Sequence, residues 1–147
     1  GQFPEYFAKL ENIVKQGGAR ARDVQFLGTF PNDELGSVFQ ELDVLVVPSR
    51  WYENTPLVMQ SALATRTPLV VTDLGGMSEL VKDGVNGLLF KLNDHRSLAE
   101  KLALILNKPQ LLEHYMSNIK PERTVADMVD DIESVYSRVL GLSSAKK

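Results

Sequence analysis

The side chains in this sequence best placed to do chemistry crowd into nine residues, Pro48-Ser49-Arg50-Trp51-Tyr52-Glu53-Asn54-Thr55-Pro56. They end where a helical pattern begins, at Leu57, Val58, Leu63 and Ala64. A helix N-terminus presents unpaired N–H groups and the positive end of its dipole, which together attract an anion such as a phosphate. Glu53 stands just before that terminus. Its carboxylate can cap the helix or accept hydrogen bonds from sugar hydroxyls, and on the residues alone capping is the commoner role. Trp51 and Tyr52 offer flat apolar faces that suit a sugar, a base or the wall of a pocket. Arg50 can approach a phosphate or simply face solvent. Elsewhere the chemistry thins out. Glu79 can cap or pair locally, and Gly75-Gly76 suits a tight turn into a helix. His95 and His114 lie too far apart in context to suggest a metal pair or a catalytic base, and both read as surface residues. Asp127, Asp130, Asp131 and Glu133 read as the solvated face of a helix.

Such a loop works only if a scaffold aims it. Short apolar runs rich in β-formers alternate with helical stretches, the pattern of βαβ units around a parallel sheet. Four runs predict strands: Val24–Leu27, Val44–Val47, Pro68–Val71 and Gly87–Phe90. The middle two do not alternate, so they predict strands buried on both faces. In an open α/β sheet, ligands bind beyond the carboxyl ends of the strands, which is where Pro48–Pro56 would fall.

Helices are expected over 3–16, with Phe7, Leu10, Ile13 and Val14 on one face, and from Asn32-Asp33 to about Leu42. Another should open at Pro56, and a short one should follow Gly75-Gly76. Asp94 can cap 96–107, with Leu98, Leu102, Ile105 and Leu106 as a buried stripe. A short helix should start at Pro109. The last should run from about Val125 to Leu140, with Met128, Val129, Ile132, Val135 and Val139 at helical spacing. Residues 1–140 are expected to form one partial domain, and the small, polar stretch 141–147 a disordered tail.

The bulk properties bound the function. The 147 residues fit one domain, and 44% hydrophobic residues suffice for a core. Sixteen basic and 19 acidic residues leave a net charge of −3, which argues against nucleic acid as a partner. There is no cysteine, so disulfides and thiolate metal sites are excluded. No apolar run approaches the roughly 18 residues of a membrane span, and no signal peptide is visible, so a cytoplasmic location is expected.

The motifs also resemble a family. The run Asp43-Val44-Leu45-Val46-Val47-Pro48-Ser49 precedes Glu53 and Pro56-Leu57-Val58. Thr67-Pro68-Leu69-Val70-Val71, Asp73-Leu74-Gly75-Gly76, Glu79-Leu80-Val81 and Asp83-Gly84-Val85-Asn86-Gly87 follow in order, and Val24-Gln25-Phe26-Leu27-Gly28 lies upstream. This series is similar to the signature of the retaining GT-B glycosyltransferases of group 1, whose sugar-binding motif is a Glu, seven residues and a second Glu. The resemblance spans nearly the whole chain.

It implies the C-terminal, Rossmann-like, nucleotide-sugar-binding domain of such an enzyme, lacking the first strands of that domain. Glu53 would be the catalytic-site residue, contacting the donor sugar's hydroxyls. The backbone N–H groups of Asn54, Thr55, Pro56, Leu57 and Val58 would face sugar and diphosphate. Gly28, Thr29 and Phe30 would border the base. No metal or other cofactor is implied, because helix dipole and basic side chains would stabilise the departing diphosphate, and that phosphate would itself deprotonate the acceptor. The parent enzyme would move a hexose to a glycan or lipid-linked acceptor, as in polysaccharide biosynthesis, with the acceptor held by an N-terminal domain. The chain alone would be inactive.

Two positions depart from the family pattern. Ser61 stands where the second Glu would grip the ribose hydroxyls, and a serine hydroxyl offers fewer acceptor sites than a carboxylate. Losing a charge-assisted bond of that kind costs about 1.5–3 kcal/mol. The alternative implied is a degenerate, non-catalytic binding module. Arg66 stands where glycine is common, so the helix cap there is either lost or strained. The family's turns carrying an Arg and a Lys for the diphosphate belong to strands not seen in this sequence. The last helix often packs across the first domain in this family, and its apolar stripe could instead drive self-association.

Overall fold

The computed structural model describes residues 4–120 and 123–141. The chain falls into two units, Gly1–Asn32 and Asp33–Lys147.

In the first unit, helix α1 spans Pro4–Gln16 and a 3-10 helix spans Gly18–Asp23. The expected apolar face of α1 is not buried: Leu10 and Val14 are half-covered, whereas Phe7 and Ile13 are exposed. Phe7 meets Phe26 edge-on, with ring centroids 5.0 Å apart. The strand expected at Val24–Leu27 does not form; residues 24–31 are irregular. A strand exists only through pairing, and the sheet among the described residues contains three strands, none of them here. High β-propensity without a partner edge leaves an extended segment.

The second unit is a three-stranded parallel sheet in the order β1-β2-β3, with β1 Leu45–Val47, β2 Leu69–Thr72 and β3 Gly87–Phe90. Around it lie α2 (Leu35–Gln40), α3 (Leu57–Ala64), α4 (Gly76–Leu80), α5 (His95–Asn107) and α6 (Gln110–Asn118), and α7 (Val125–Leu140) follows in the chain. Both sheet faces are covered, as the unbroken apolar runs predict. On one face Leu69 and Val71 pack with Phe39 of α2, Met59, Ala62 and Leu63 of α3, and Met77 of α4. On the other, Val70, Leu88 and Phe90 pack with Ile105 of α5 and Tyr115 of α6. Neighbours along β2 therefore feed different cores, as period-2 side-chain geometry requires.

Local chemistry sets the element ends. β3 starts at Gly87, where a Cβ would lie 2.4 Å from the Leu69 carbonyl oxygen, so only glycine fits opposite β2. Asp94 caps α5, accepting from the amides of Arg96 and Ser97 at 3.0 Å each. Leu106 of the expected stripe is exposed, because it directly follows buried Ile105 and so points about 100° away around the helix. α7 begins with a capping box between Thr124 and Asp127 and ends at Gly141 in the left-handed conformation. Its apolar residues share one face as expected, yet none is buried. Gly141 is thus a helix cap, and the rest of the expected tail lies outside the described residues.

Arg66 answers the question its sequence position poses. It adopts φ 59° and closes α3. The Arg66 amide donates to the Leu63 carbonyl at 3.0 Å, and the Thr67 amide donates to the Ala62 carbonyl at 2.8 Å. That is the Schellman arrangement, kept with a side chain where glycine is preferred. Arg66→Gly should therefore stabilise the fold by about 1 kcal/mol, the strain relieved less the added freedom of the unfolded chain. Urea denaturation would check it, and an unchanged or lower midpoint would contradict the strain.

Asp94 and Asp127 are held below the ordinary value of 3.8, first by the backbone amides of Ser97 and Thr124 respectively. Both carboxylates are favoured in the folded state. Their contribution is complete above the unfolded value and is lost as pH falls through the lowered folded one. Helicity followed by circular dichroism should decline on acidification below pH 3.8. In Asp94→Asn/Asp127→Asn, where the caps no longer titrate, the decline should be shallower.

Candidate functional site

The loop between β1 and α3 leaves the sheet at its carboxyl edge, where an α/β sheet places ligands. It is held at two points. Within the loop, Ser49 Oγ donates to Glu53 Oε1 at 2.9 Å and accepts from the Trp51 amide at 3.3 Å. From outside, the Gly76 amide at the start of α4 donates to the Glu53 carbonyl at 3.1 Å. The approach is so close that a Cβ on Gly76 would fall 1.4 Å from the Asn54 carbonyl oxygen. Gly75, with φ 53° and ψ −136°, occupies backbone space open essentially to glycine alone, and a Cβ there would meet the Tyr52 ring at 3.0 Å. Asp73 accepts from Ser78 Oγ at 2.7 Å, closing the first turn of α4. The double glycine is therefore what lets α4 press against the Glu53–Asn54 peptide.

Glu53 is half-buried. It does not cap α3: the N-cap residue is Pro56, and no side chain caps that end. The capping role favoured by the residues alone is thus not the one adopted, because Ser49 holds the carboxylate back toward the loop. Oε2 has no hydrogen-bond partner among the described residues, so one acceptor remains open to a ligand hydroxyl.

At the start of α3, the Leu57 and Val58 amides belong to the first helical turn and have no intrahelical acceptor. The Met59 amide is taken by the Pro56 carbonyl at 2.9 Å. Of the five amides implied by the resemblance, the one assigned to Pro56 cannot exist, since proline carries no N–H. Asn54, Thr55, Leu57 and Val58 supply the four that remain. Pro56 itself is buried and anchors the turn, whereas Leu57 is 77% exposed.

Ser61 lies one turn along α3 from Leu57 and is half-buried. Its Oγ donates to the Leu57 carbonyl at 3.2 Å. The hydroxyl is thus turned back onto its own helix. Gly28, Thr29 and Phe30 belong to the first unit, while the site described here is that of the second unit alone. Gly28 has φ 80°, and Phe30 is exposed.

The sequence reading missed one part of this edge. A hollow of about 240 Å³ opens beyond the carboxyl ends of all three strands, lined by Pro48, Arg50, Thr72, Phe90, Asn93 and His95 among others. His95, read as an ordinary surface residue, is the first residue of α5 and faces this hollow together with Arg50. The Asp94 cap was the available signal. It places the next residue at the sheet's carboxyl edge, with Asn93 turning the chain at φ 58°.

With the geometry in view, comparison with known proteins is informative. The pattern that defines glycosyl transferases group 1 matches residues 4–122. A glycosyltransferase of Methanocaldococcus jannaschii is 34% identical over 105 residues, covering 71% of this chain and 29% of the relative. The D-inositol 3-phosphate glycosyltransferase of Corynebacterium diphtheriae is 39% identical over 129 residues, covering 86% and 30% respectively. The chain thus spans under a third of the length of these relatives. The crystal structure of Anabaena HepE in complex with UDP superposes with a TM-score of 0.73 over 95% of this chain and 38% of that one, at 24% identity, a likeness of fold. Among the described residues no helix is long and apolar enough to cross a membrane. The Rossmann-like parallel sheet, the motif order and these matches agree: the chain belongs to the group 1 glycosyltransferases of the GT-B fold.

Proposed function

We propose that the second unit forms the donor-sugar side of a retaining glycosyltransferase site, part of a longer cytoplasmic enzyme that transfers a hexose from a nucleotide diphosphate sugar to a glycan or lipid-linked acceptor. One observation carries this reading. Glu53, with an open carboxylate oxygen, is fixed beside the uncapped N-terminus of α3. A carboxylate accepts hydrogen bonds from vicinal hydroxyls, while free amides and the helix dipole favour the phosphates of the same molecule. The amides and the dipole act on charge that grows as the diphosphate departs, so they stabilise the transition state more than the ground state. Glu53 orients the sugar, the Leu57 and Val58 amides receive phosphate oxygens, and Asn54 and Thr55 border the sugar. Gly28, Thr29 and Phe30 are assigned the nucleobase from family likeness. No metal ion or other cofactor has a role in this scheme.

A specific observation favours a second reading, a binding module that no longer turns over donor. Ser61 directs its hydroxyl to Leu57, so the ribose loses the acceptor a glutamate would provide. The apolar face of α7, from Val125 through Met128, Ile132 and Val135 to Val139, is exposed and suits self-association or a partner domain.

Titration calorimetry of the folded chain with UDP, GDP and one sugar conjugate of each, without added metal, separates these readings. A working donor site should give saturable binding of one nucleotide. Glu53→Ala should then weaken its sugar conjugate roughly tenfold or more while leaving the free nucleotide unchanged. If Ser61 limits the site, Ser61→Glu should tighten nucleotide binding by a similar factor. Absence of binding in both the native chain and Ser61→Glu would discard the donor-site proposal for this chain.

A further inference from the structure

A second hollow, of about 330 Å³, lies at the opposite edge of the sheet, beside the residues that lead into β3. Its size falls in the range of small-ligand sites, about 300–1,000 Å³. Three cations converge on it: Lys82, from the turn after α4, and Lys120 and Arg123, from the segment after α6. None of its described lining residues is acidic, although the chain as a whole is negative, with a net charge of −3. Among the described residues Lys82 and Lys120 have no carboxylate partner, whereas Lys101 nearby grips both oxygens of Asp83 at 3.0 Å each. Arg123 shares its guanidinium with Asp131, whose carboxylate is not part of the lining. Like charges gathered around one space repel each other until an anion enters, and ammonium groups are strong point-charge partners for phosphate.

The rest of the hollow suits more than a bare ion. Asn86 is locked, accepting from the Lys82 amide at 2.7 Å and donating to the Leu80 carbonyl at 3.0 Å. Asn118 donates to the His114 carbonyl at 2.8 Å. Its Nδ2 also lies 3.5 Å from His114 Nδ1, whereas the Asn86 side-chain amide has a second N–H to offer. Leu80 and Ile119 supply apolar wall between these polar groups. We propose that this hollow binds a phosphate-bearing ligand, its phosphoryl group among Lys82, Lys120 and Arg123 and its carbon skeleton against Leu80 and Ile119. The proposal is independent of the donor-site reading, which concerns the other edge of the sheet.

Amide chemical shifts of the whole chain, followed during titration with inorganic phosphate at constant ionic strength, provide the test. Saturable shifts are expected at Lys82, Asn86, Asn118 and Lys120. Lys82→Glu and Lys120→Glu should each weaken them about tenfold or more, the neutral Lys82→Met should weaken them less, and Lys108→Glu should leave them unchanged. Well-dispersed spectra of each variant establish that it is folded. A parallel titration uses vesicles of phosphatidylglycerol, with phosphatidylcholine as control. Free phosphate binding identifies a soluble phosphorylated ligand. Binding to phosphatidylglycerol vesicles alone, lost in the same two variants, identifies a lipid headgroup. The proposal is overturned if neither probe gives saturable shifts, if chloride reproduces them, or if they persist in both charge-reversal variants.

Discussion

Gly76 sits so near the Asn54 carbonyl that its missing side chain is a condition of the fold, and its amide makes the one backbone bond tying α4 to the loop of Glu53. Much else rests on that contact. Without it the carboxylate would hang on a loop held only by Ser49, and the start of α3 would present its amides at no fixed position relative to Glu53. The bond runs between backbone groups, so it does not depend on rotamers. It also joins two βα connections, the loop after β1 and the loop after β2. The sheet supplies the remaining restraint through the parallel pairing of Val47 with Val71 just below both loops.

The far end of α3 is fixed in a complementary way. Thr67 is buried, and its Oγ1 donates to the Phe39 carbonyl at the end of α2 at 2.9 Å, with Thr65 Oγ1 beside it at the same distance. The helix that carries the site's amides is thus tied at its N-terminal side to α4 and at its C-terminal side to α2. Buried polar groups in this part of the molecule are satisfied, which allows a short helix of eight residues to hold its place. The strained Arg66 is tolerated because both Schellman bonds form around it.

What could be read from the sequence follows physical locality. The three paired strands, both covered faces and the Asp94 cap were legible, because two-sided apolar runs and capping residues act over a few neighbours. The expected strand at Val24–Leu27 was not, because β-propensity describes a surface awaiting an edge and cannot supply one. The same limit explains Phe7 and Ile13 of α1: periodicity identifies a face but not what covers it. The placement of Glu53, Asn54 and Thr55 in the loop between β1 and α3 was legible from the spacing. The partner of Glu53 was not, since choosing between a helix cap and Ser49 depends on how the loop folds back. Nor could the inward bond of Ser61 be foreseen from its identity. His95 is exposed, as its sequence context suggests, but its place beside the hollow depends on the sheet edge it reaches and not on its neighbours in sequence.

The two ends of α7 carry a consequence for how its exposed face could be used. A capping box closes one terminus, and at the other the Gly141 amide donates to the Ser137 carbonyl, while no residue between is buried. The sixteen residues of the helix are therefore closed at both ends by the residues that flank them. Segments that must fold upon contact spend part of the interaction energy on ordering, and that expense slows the step from encounter to complex. Here the stripe from Val125 to Val139 is already arrayed before contact. Its association with any partner would be governed by collision and orientation rather than by coil-to-helix conversion, and the affinity gained per unit of surface covered would be correspondingly higher.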